Sequence, residues 1–250
     1  MITVNDLKKL TSILGFNIWQ IEKDYLQHLF LLFLSAHTKD ELVFKGGTAL
    51  QKIYALNRFS IDLDFSMRKK IEEKIMQKIV VGIKLFGFDC EYEKEKENFG
   101  LNFKFKINGP LYEGTEKTKS ILRIEISKRE NILLEPEIKE VVPIYPDLHP
   151  YTILVMQLEE ILAEKIRAIS TRTKARDVYD LWFLLKKGVK FDKELVNKKL
   201  KFYKKSFDKK LFFLNIKAIE KVWEIELKPL VTFVPNFKII YKEIEEFMKC

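Results

Sequence analysis

Two aspartates and a pair of glycines lie close together in the stretch VFKGGTALQKIYALNRFSIDLDFS, residues 43–66. Asp62 and Asp64 are separated by one leucine in a run that alternates apolar and polar residues. On a strand, residues two apart project from one face with Cα atoms about 7 Å apart. Their carboxylates could bind one hard cation or bridge two, as in phosphoryl-transfer sites. The alternative is a solvated strand face, where two adjacent like charges would repel each other.

The glycine pair precedes the aspartates by about a helix's length. Gly46 and Gly47 follow a short predicted strand at 42–45 and open a predicted helix. Backbone without Cβ atoms lets a ligand approach closely, and the unpaired amides of a first helical turn favour a phosphate. The hydroxyl of Thr48 could bond a phosphate oxygen or cap the helix. A tight turn alone would also explain Gly-Gly-Thr, but its combination with Asp-x-Asp favours a nucleotide and metal site.

The elements that must position these residues follow from periodicity. Helical spacing predicts helices within 5–36, after the glycines, and at 70–86, 152–170 and 176–188. Gly188 is expected to end the helix that begins at residue 176. Alternation predicts strands at 58–67, 88–94, 101–107 and 121–127. Three prolines in residues 140–150 indicate a seam between two regions. We therefore expect an α/β domain over residues 1–148 and a helical domain over 149–250.

Composition limits the class of protein. The 250 residues are 47% hydrophobic and 32% charged, which excludes a disordered chain and suits one large domain or two small ones. The apolar run at residues 29–34 is far shorter than the roughly 20 residues of a membrane span, and no signal-peptide pattern precedes it. Cys90, Cys250 and three histidines show neither zinc-ligand spacing nor a disulfide framework. We expect a reducing, cytoplasmic setting.

A net charge of +9 is concentrated in one segment. Residues 186–210 hold eleven lysines and three acidic residues, with aromatic residues interleaved. Such a segment could contact a phosphate backbone, or it could be an ordinary solvated helix face. The candidate nucleic-acid-binding residues are Lys186, Lys187, Lys198, Lys199, Lys204 and Lys205.

The combined motif KGGTAL…RFSIDLDFS resembles the signature of the DNA polymerase β-type nucleotidyltransferase superfamily. More narrowly, the chain is similar to the AbiEii branch of abortive-infection and toxin–antitoxin nucleotidyltransferases. Three further stretches support this likeness: IEKDYLQHLFL at 21–31, LEEILAEKIRAISTR at 158–172 and ARDVYDLWFLL at 175–185. The resemblance implies an α+β fold, in which a polymerase β-like core, a mixed sheet with flanking helices, precedes an all-helical C-terminal region that completes the active-site cleft.

The resemblance also implies roles for individual residues. Asp62 and Asp64 would be catalytic and would hold Mg²⁺ or Mn²⁺, and Gly46, Gly47 and Thr48 would bind the nucleotide. Lys165 would neutralise phosphate charge, and Asp177 would be a further catalytic carboxylate. Glu125 is the candidate third metal ligand, the alternative being a solvent-facing strand glutamate. From the residues alone, Lys165 could face solvent, Asp177 could favour its helix N-terminus, and Arg176 could pair with Asp180 on the surface.

The implied activity is transfer of a nucleotide from a nucleoside triphosphate to RNA, at the acceptor end of tRNA, by a toxin or phage-defence effector. A genetically linked antitoxin is expected, without obligatory contact, and no membrane partner. Two alternatives stay open: transfer of a nucleotide or phosphate to a protein or small-molecule hydroxyl, and a non-catalytic nucleic-acid-binding module with a degenerate transferase fold.

Overall fold

The structure is a computed structural model that describes residues 1–72, 74–95, 99–129 and 131–249. It divides into two compact units. The sheet unit consists of Met1–Ala55, Phe59–Asn131 and Pro136–Val155. The helical unit consists of Leu56–Arg58, Ile132–Glu135 and Met156–Cys250.

The sheet unit begins with two helices, alternates strands with helices as far as β3, and continues with strands only apart from a short 3-10 turn. Its helices are α1 Val4–Leu14, α2 Ile18–His37, α3 Gly46–Tyr54 and α4 Lys74–Leu85. Its strands are β1 Leu42–Lys45, β2 Leu63–Met67, β3 Cys90–Glu95, β4 Gly100–Ile107, β5 Ser120–Ser127, β6 Glu137–Val141 and β7 Tyr151–Val155. The helical unit contains α5 Leu158–Ile169, α6 Ala175–Lys186, α7 Lys193–Lys201, α8 Lys209–Ala218, α9 Trp223–Leu227 and α10 Phe237–Phe247.

The seven strands form one mixed sheet in the order β3-β4-β5-β2-β1-β7-β6. Strand β1 pairs antiparallel with β2, whereas β2 and β5 run parallel. This mixed sheet with flanking helices, followed by C-terminal helices, confirms the predicted fold class.

One face of the sheet is apolar and the other is polar. The alternation in β2, β4 and β5 buries one set of side chains: Leu63, Phe65, Phe103, Phe105, Ile124 and Ile126. Helix α2 covers this face, with the rings of Phe30 and Phe105 packed edge to face at 5.1 Å. Because successive residues of a strand point to opposite faces, Asp64, Arg123 and Glu125 project from the polar face. The core thus fixes which face carries the charged residues.

The predicted helix at 152–170 is wrong in its first part. Residues Tyr151–Val155 form β7, which pairs parallel with β1 and antiparallel with β6, and the helix begins only at Leu158. A short apolar run fits a buried strand as well as a buried helix, so periodicity alone cannot separate them. Strand β6 escaped sequence analysis because Glu137, Lys139 and Glu140 interrupt its apolar character.

The remaining elements follow the predictions more closely. Strand β2 begins at Leu63, so Asp62 lies in the connection just before it. Gly188 follows the end of α6 with a φ of 87°, as expected for a helix stop. Among the described residues, no helix is both long enough and apolar enough to cross a membrane. Cys90 is buried with a free thiol, and Cys250 lies outside the described residues.

A buried polar network lies behind the sheet, between α2 and the segment around β7. The Asp24 carboxylate is paired with the Lys52 ammonium and accepts a hydrogen bond from the Tyr145 hydroxyl at 2.8 Å. His28 Nδ1 lies 2.9 Å from the Tyr151 hydroxyl. Burial and the nearby Lys52 lower the pKa of His28 to about 3, although Asp24 acts in the opposite direction. His28 is therefore neutral in the folded protein at ordinary pH.

This buried neutral histidine predicts a pH dependence of stability. Below pH 6.5 the unfolded chain takes up a proton at His28, whereas the folded chain does so only near pH 3. The free energy of unfolding should then fall as the pH drops from 6.5 to 5, by about 1.4 kcal/mol per pH unit from this group. Urea unfolding at pH 7, 6 and 5 measures the slope. His28→Gln should flatten it and His37→Gln, at an exposed position, should not; equal slopes in the wild type and His28→Gln would contradict the assignment.

Candidate active site

Three acidic residues meet where β2 begins, beside the second half of β5. Asp64 is the registered partner of Lys45 on β1 and of Glu125 on β5. Neighbouring strands are about 4.8 Å apart, so Asp64 and Glu125 are adjacent on the polar face. Asp62 comes two residues earlier, immediately before β2. The strand pairing thus places the predicted third carboxylate beside the Asp-x-Asp pair.

These carboxylates do not form a closed metal centre. Within the part of the chain that the structure describes, no three or more histidine, cysteine or acidic side chains converge as a metal site. An incomplete protein ligand set is what Mg²⁺ uses when a substrate phosphate and water complete its shell. Asp62 and Asp64 fit such a cation because both offer hard carboxylate oxygens, and they lie two residues apart at the start of one strand.

Gly46 is required at its position for two reasons. Its φ of +74° lies in the left-handed region, which a residue with a side chain rarely adopts. A Cβ atom built on Gly46 would also collide with the carboxylate of Asp64, whose Cγ would be 3.1 Å away. The chain therefore turns from β1 into α3 directly against Asp64.

The start of α3 is suited to an anion. Every residue of α3 is described, and no side chain caps its N-terminus. Gly46 and Gly47 thus begin a helix whose first amides have no side-chain acceptor, beside the Asp64 carboxylate. Backbone amides at such a position attract phosphate groups.

The prediction that the Thr48 hydroxyl binds a phosphate or caps α3 is wrong. Thr48 is fully buried. Its Oγ1 donates a hydrogen bond to the carbonyl oxygen of Asp62 and lies 2.7 Å from the hydroxyl of Ser60. Thr48 therefore positions Asp62 by tying the segment before β2 to the first turn of α3.

Two glutamines that sequence analysis missed hold the same segment. Gln27 Nε2, on α2, donates to the carbonyls of Ser60 and Ile61 at 3.0 and 2.9 Å. The backbone amide of Ser60 donates to Gln51 Oε1 at 2.8 Å. Gln27 is fully buried, and the signal that could have found it is a polar residue inside an otherwise apolar helix.

In the helical unit, Lys165 and Asp177 belong to a buried ion cluster. Lys165 Nζ lies 3.1 Å from Asp177 Oδ1 and 2.7 Å from Asp180 Oδ2. Arg172 pairs with Asp177, and Arg58 forms a two-pronged contact with Asp180 at 2.6 and 2.7 Å. Asp180 thus pairs with Lys165 and Arg58, and the alternative of a surface pair with Arg176 is wrong.

Charge compensation keeps both aspartates of this cluster ionised. Burial acts to raise the pKa of Asp177, but Lys165 and Arg172 outweigh it and hold that pKa well below its usual range. Burial likewise acts against ionisation of Asp180, and Arg58 and Lys165 reverse the effect, so its pKa is also lowered. Lys165 is therefore a fixed cation shared by two carboxylates.

The lysine-rich segment is only partly available to a ligand. Lys199 is buried and pairs with Glu160 at 2.6 Å and Glu164 at 3.1 Å, so its inclusion in a nucleic-acid surface is wrong. The other five candidates are exposed, but four of them make local contacts: Lys186 with the ring of Trp182, Lys187 with the ring of Phe183, Lys198 with Glu194, and Lys205 with the carbonyl of Ser170.

Comparison with known proteins gives a family and several similar structures. The family model described as nucleotidyl transferase AbiEii toxin, type IV toxin–antitoxin system, matches residues 30–249. MenT4, a nucleotidyltransferase toxin from Mycobacterium tuberculosis H37Rv, has a TM-score of 0.73 at 20% identity, covering 100% of this chain and 89% of its own. JHP933 from Helicobacter pylori has a TM-score of 0.65 at 21% identity, covering 93% and 91%. At such identities the likeness shows the fold; no curated protein matches the sequence.

The approach of Gly46 to Asp64 yields a test with an internal control. Gly46→Ala should destabilise the protein by more than the roughly 1–2 kcal/mol that a left-handed φ costs, because the new methyl group must displace the carboxylate. Gly114→Ala is the matched control, since Gly114 has a φ of +85° but open space around its Cβ position. The free energy of unfolding in urea measures both. Equal losses in the two variants would show that the carboxylate moves aside without cost.

Proposed function

The chain belongs to the AbiEii nucleotidyltransferase toxin family, and from that premise we propose that it transfers a nucleotide from a nucleoside triphosphate to the acceptor end of tRNA in a Mg²⁺-dependent reaction. The observation that carries this proposal is the close contact between the backbone of Gly46 and the carboxylate of Asp64, with Glu125 next to Asp64 on the neighbouring strand. This contact supports the proposal because a helix start that could bind phosphate lies next to the acidic residues of the sheet unit.

Asp62 and Asp64 would hold the divalent cation, Mg²⁺ or Mn²⁺, and Glu125 is the adjacent carboxylate that could join them. When bound, the cation supplies positive charge that neutralises the phosphate oxygens during transfer. The proposed work of the protein is to fix these carboxylates. Thr48, Gln27 and Gln51 do so by holding residues 60–62 through buried and part-buried hydrogen bonds.

The chemistry is an in-line displacement at the α-phosphate. The acceptor hydroxyl oxygen forms a bond to the α-phosphorus as the bond to the bridging oxygen of the β-phosphate breaks, and pyrophosphate leaves. Amides at Gly46 and Gly47 orient the triphosphate, so that positioning and charge neutralisation supply most of the catalysis. Glu125, exposed beside Asp64, is the candidate acceptor for the hydroxyl proton.

Lys165 and Asp177 are proposed to act at the phosphates, as the family resemblance implies. Their support is the ion cluster of the helical unit, which fixes the ammonium of Lys165 between Asp177 and Asp180. An antitoxin encoded with this protein would complete a type IV system, in which we expect no obligatory contact between the two proteins.

The direct test is a labelling reaction. Purified protein is incubated with Mg²⁺, each of the four α-³²P-labelled nucleoside triphosphates, and total cellular RNA or protein extract. We expect label in a tRNA-sized band, lost on chelation of the metal and reduced by at least about a hundredfold in Asp64→Asn, which removes a ligand of the phosphate-bound cation.

Asp89→Asn is the matched control for this reaction, because Asp89 is an exposed aspartate just before β3 and should leave labelling unchanged. Label that persists in Asp64→Asn would contradict the catalytic assignment. Label in protein with none in RNA would replace the RNA acceptor with a protein hydroxyl.

A further inference from the structure

Two cations, Arg123 and Lys104, lie beside the carboxylates on the open face of the sheet, and a third, Lys23, approaches from α2. Arg123 comes two residues before Glu125 on β5 and projects from the same face. Lys104 is the registered partner of Arg123 on β4 and therefore lies next to it. In the strand ladder, Leu63 is paired with Ile124, so Asp62 and Arg123 come one step before that pair. The basic pair thus borders the Asp62 end of the acidic site.

Lys23 reaches the same place from α2. It lies one helical turn before Gln27, whose side-chain amide contacts the carbonyls of Ser60 and Ile61. Residues four apart share a helix face, so Lys23 faces the segment that leads into Asp62. Lys23 is half-buried, and its burial lowers the pKa of its ammonium while Asp62 raises it and Arg123 lowers it. The pKa of Lys23 thus responds to the charges of Asp62 and Arg123, as expected for a side chain on the helix face of Gln27.

These cations keep charge available for a ligand. Across the described ranges, neither Lys23, Lys104 nor Arg123 has an acidic partner within ion-pair distance. Glu93 faces Lys104 across the β3–β4 ladder, but its carboxylate is paired with Lys106 at 2.6 Å.

The neighbouring lysine Lys119, which precedes β5, is by contrast paired with Glu91 and Glu116. The unpaired cations are thus those nearest to Asp62.

The position of these cations separates them from the glycine turn. The strand order places β1, which leads into Gly46, on one side of β2 and β5 with β4 on the other. A triphosphate bound at the start of α3 would occupy the β1 side of Asp64. Arg123 on β5 and Lys104 on β4 are on the other side, near Glu125, and Lys23 approaches the segment before Asp62 from α2. In an in-line displacement the attacking and leaving groups are on opposite sides of the phosphorus, so this side belongs to the acceptor.

We propose that Lys23, Arg123 and Lys104 bind backbone phosphates of the RNA acceptor strand next to its reacting end. This inference rests on the proposed function, and it assigns RNA binding to the sheet unit instead of the lysine-rich segment. Lysine and arginine side chains that contact phosphates do not read bases, so binding through them depends on salt and tolerates changes of sequence.

The test measures RNA binding without nucleotide. The probe is a fluorescein-labelled RNA hairpin with a single-stranded 3′ end, titrated with the full chain at several KCl concentrations. Lys23→Met, Arg123→Gln and Lys104→Met should each weaken binding about five- to tenfold near 0.1 M salt and reduce the slope of log K against log salt by about 0.7–1. Lys139→Met is the control, because Lys139 is a strand lysine of edge strand β6 that is already paired with Glu137.

Two further measurements separate RNA binding from other roles. Lys23→Arg should keep the RNA affinity of the wild type, because it retains the positive charge. If Lys23→Met folds poorly, the RNA affinities of Arg123→Gln and Lys104→Met test the proposal. The KM for the nucleoside triphosphate should stay within about twofold in all three variants, because uniform loss of acceptor binding does not alter nucleotide binding.

The KM for the triphosphate and the RNA affinity together distinguish acceptor binding from nucleotide binding. A raised KM for the triphosphate with unchanged RNA affinity would overturn the proposal and assign the cations to the nucleotide. Unchanged values for both would also overturn it. If the wild type binds RNA through these residues but transfers no nucleotide to any acceptor, the proposed function fails and the binding site stands.

Discussion

The contact between Gly46 and the Asp64 carboxylate is the constraint on which the rest of the proposed active site depends. Strand β1 delivers the chain to this point, and only a residue without Cβ can turn there in the left-handed region while the carboxylate occupies the adjoining space. The start of α3 and the acidic strand therefore cannot be moved independently. Because β2 is also registered with β5, Glu125 and Arg123 take their places from the same pairing.

A buried polar framework behind the sheet holds this arrangement in place. Gln27 and Gln51 satisfy the backbone groups of residues 60 and 61, and Thr48 does the same for Asp62. The Gln27 amide nitrogen and the Thr48 hydroxyl find their partners in this segment, and losing those partners would be costly for buried donors, so these side chains favour one conformation of it. The sheet unit uses buried hydrogen bonds near the carboxylates, whereas the helical unit uses the ion cluster of Lys165, Asp177 and Asp180.

Local patterns predicted the sheet and its motif, and long-range packing decided the rest. Alternation identified β4 and β5, and the glycine pair with Asp-x-Asp located the site, because these signals lie within a few residues of each other. Strand β7 was missed because its apolar run fits a helix until its pairing with β1 and β6 is known. Thr48 and Lys199 were misjudged because their partners are far along the chain, where no spacing rule reaches.

Asp62 and Asp64 are proposed to hold a divalent cation together with a triphosphate, and Mn²⁺ binding measures this interaction without any acceptor present. Electron paramagnetic resonance of Mn²⁺ titrated into the protein, with and without a non-hydrolysable nucleoside triphosphate, measures the bound ion. Binding should tighten at least about tenfold with the nucleotide, because substrate phosphates complete the ligand shell, and this gain should vanish in Asp64→Asn. An Asp64→Asn protein that binds Mn²⁺ and nucleotide as the wild type does would contradict the claim.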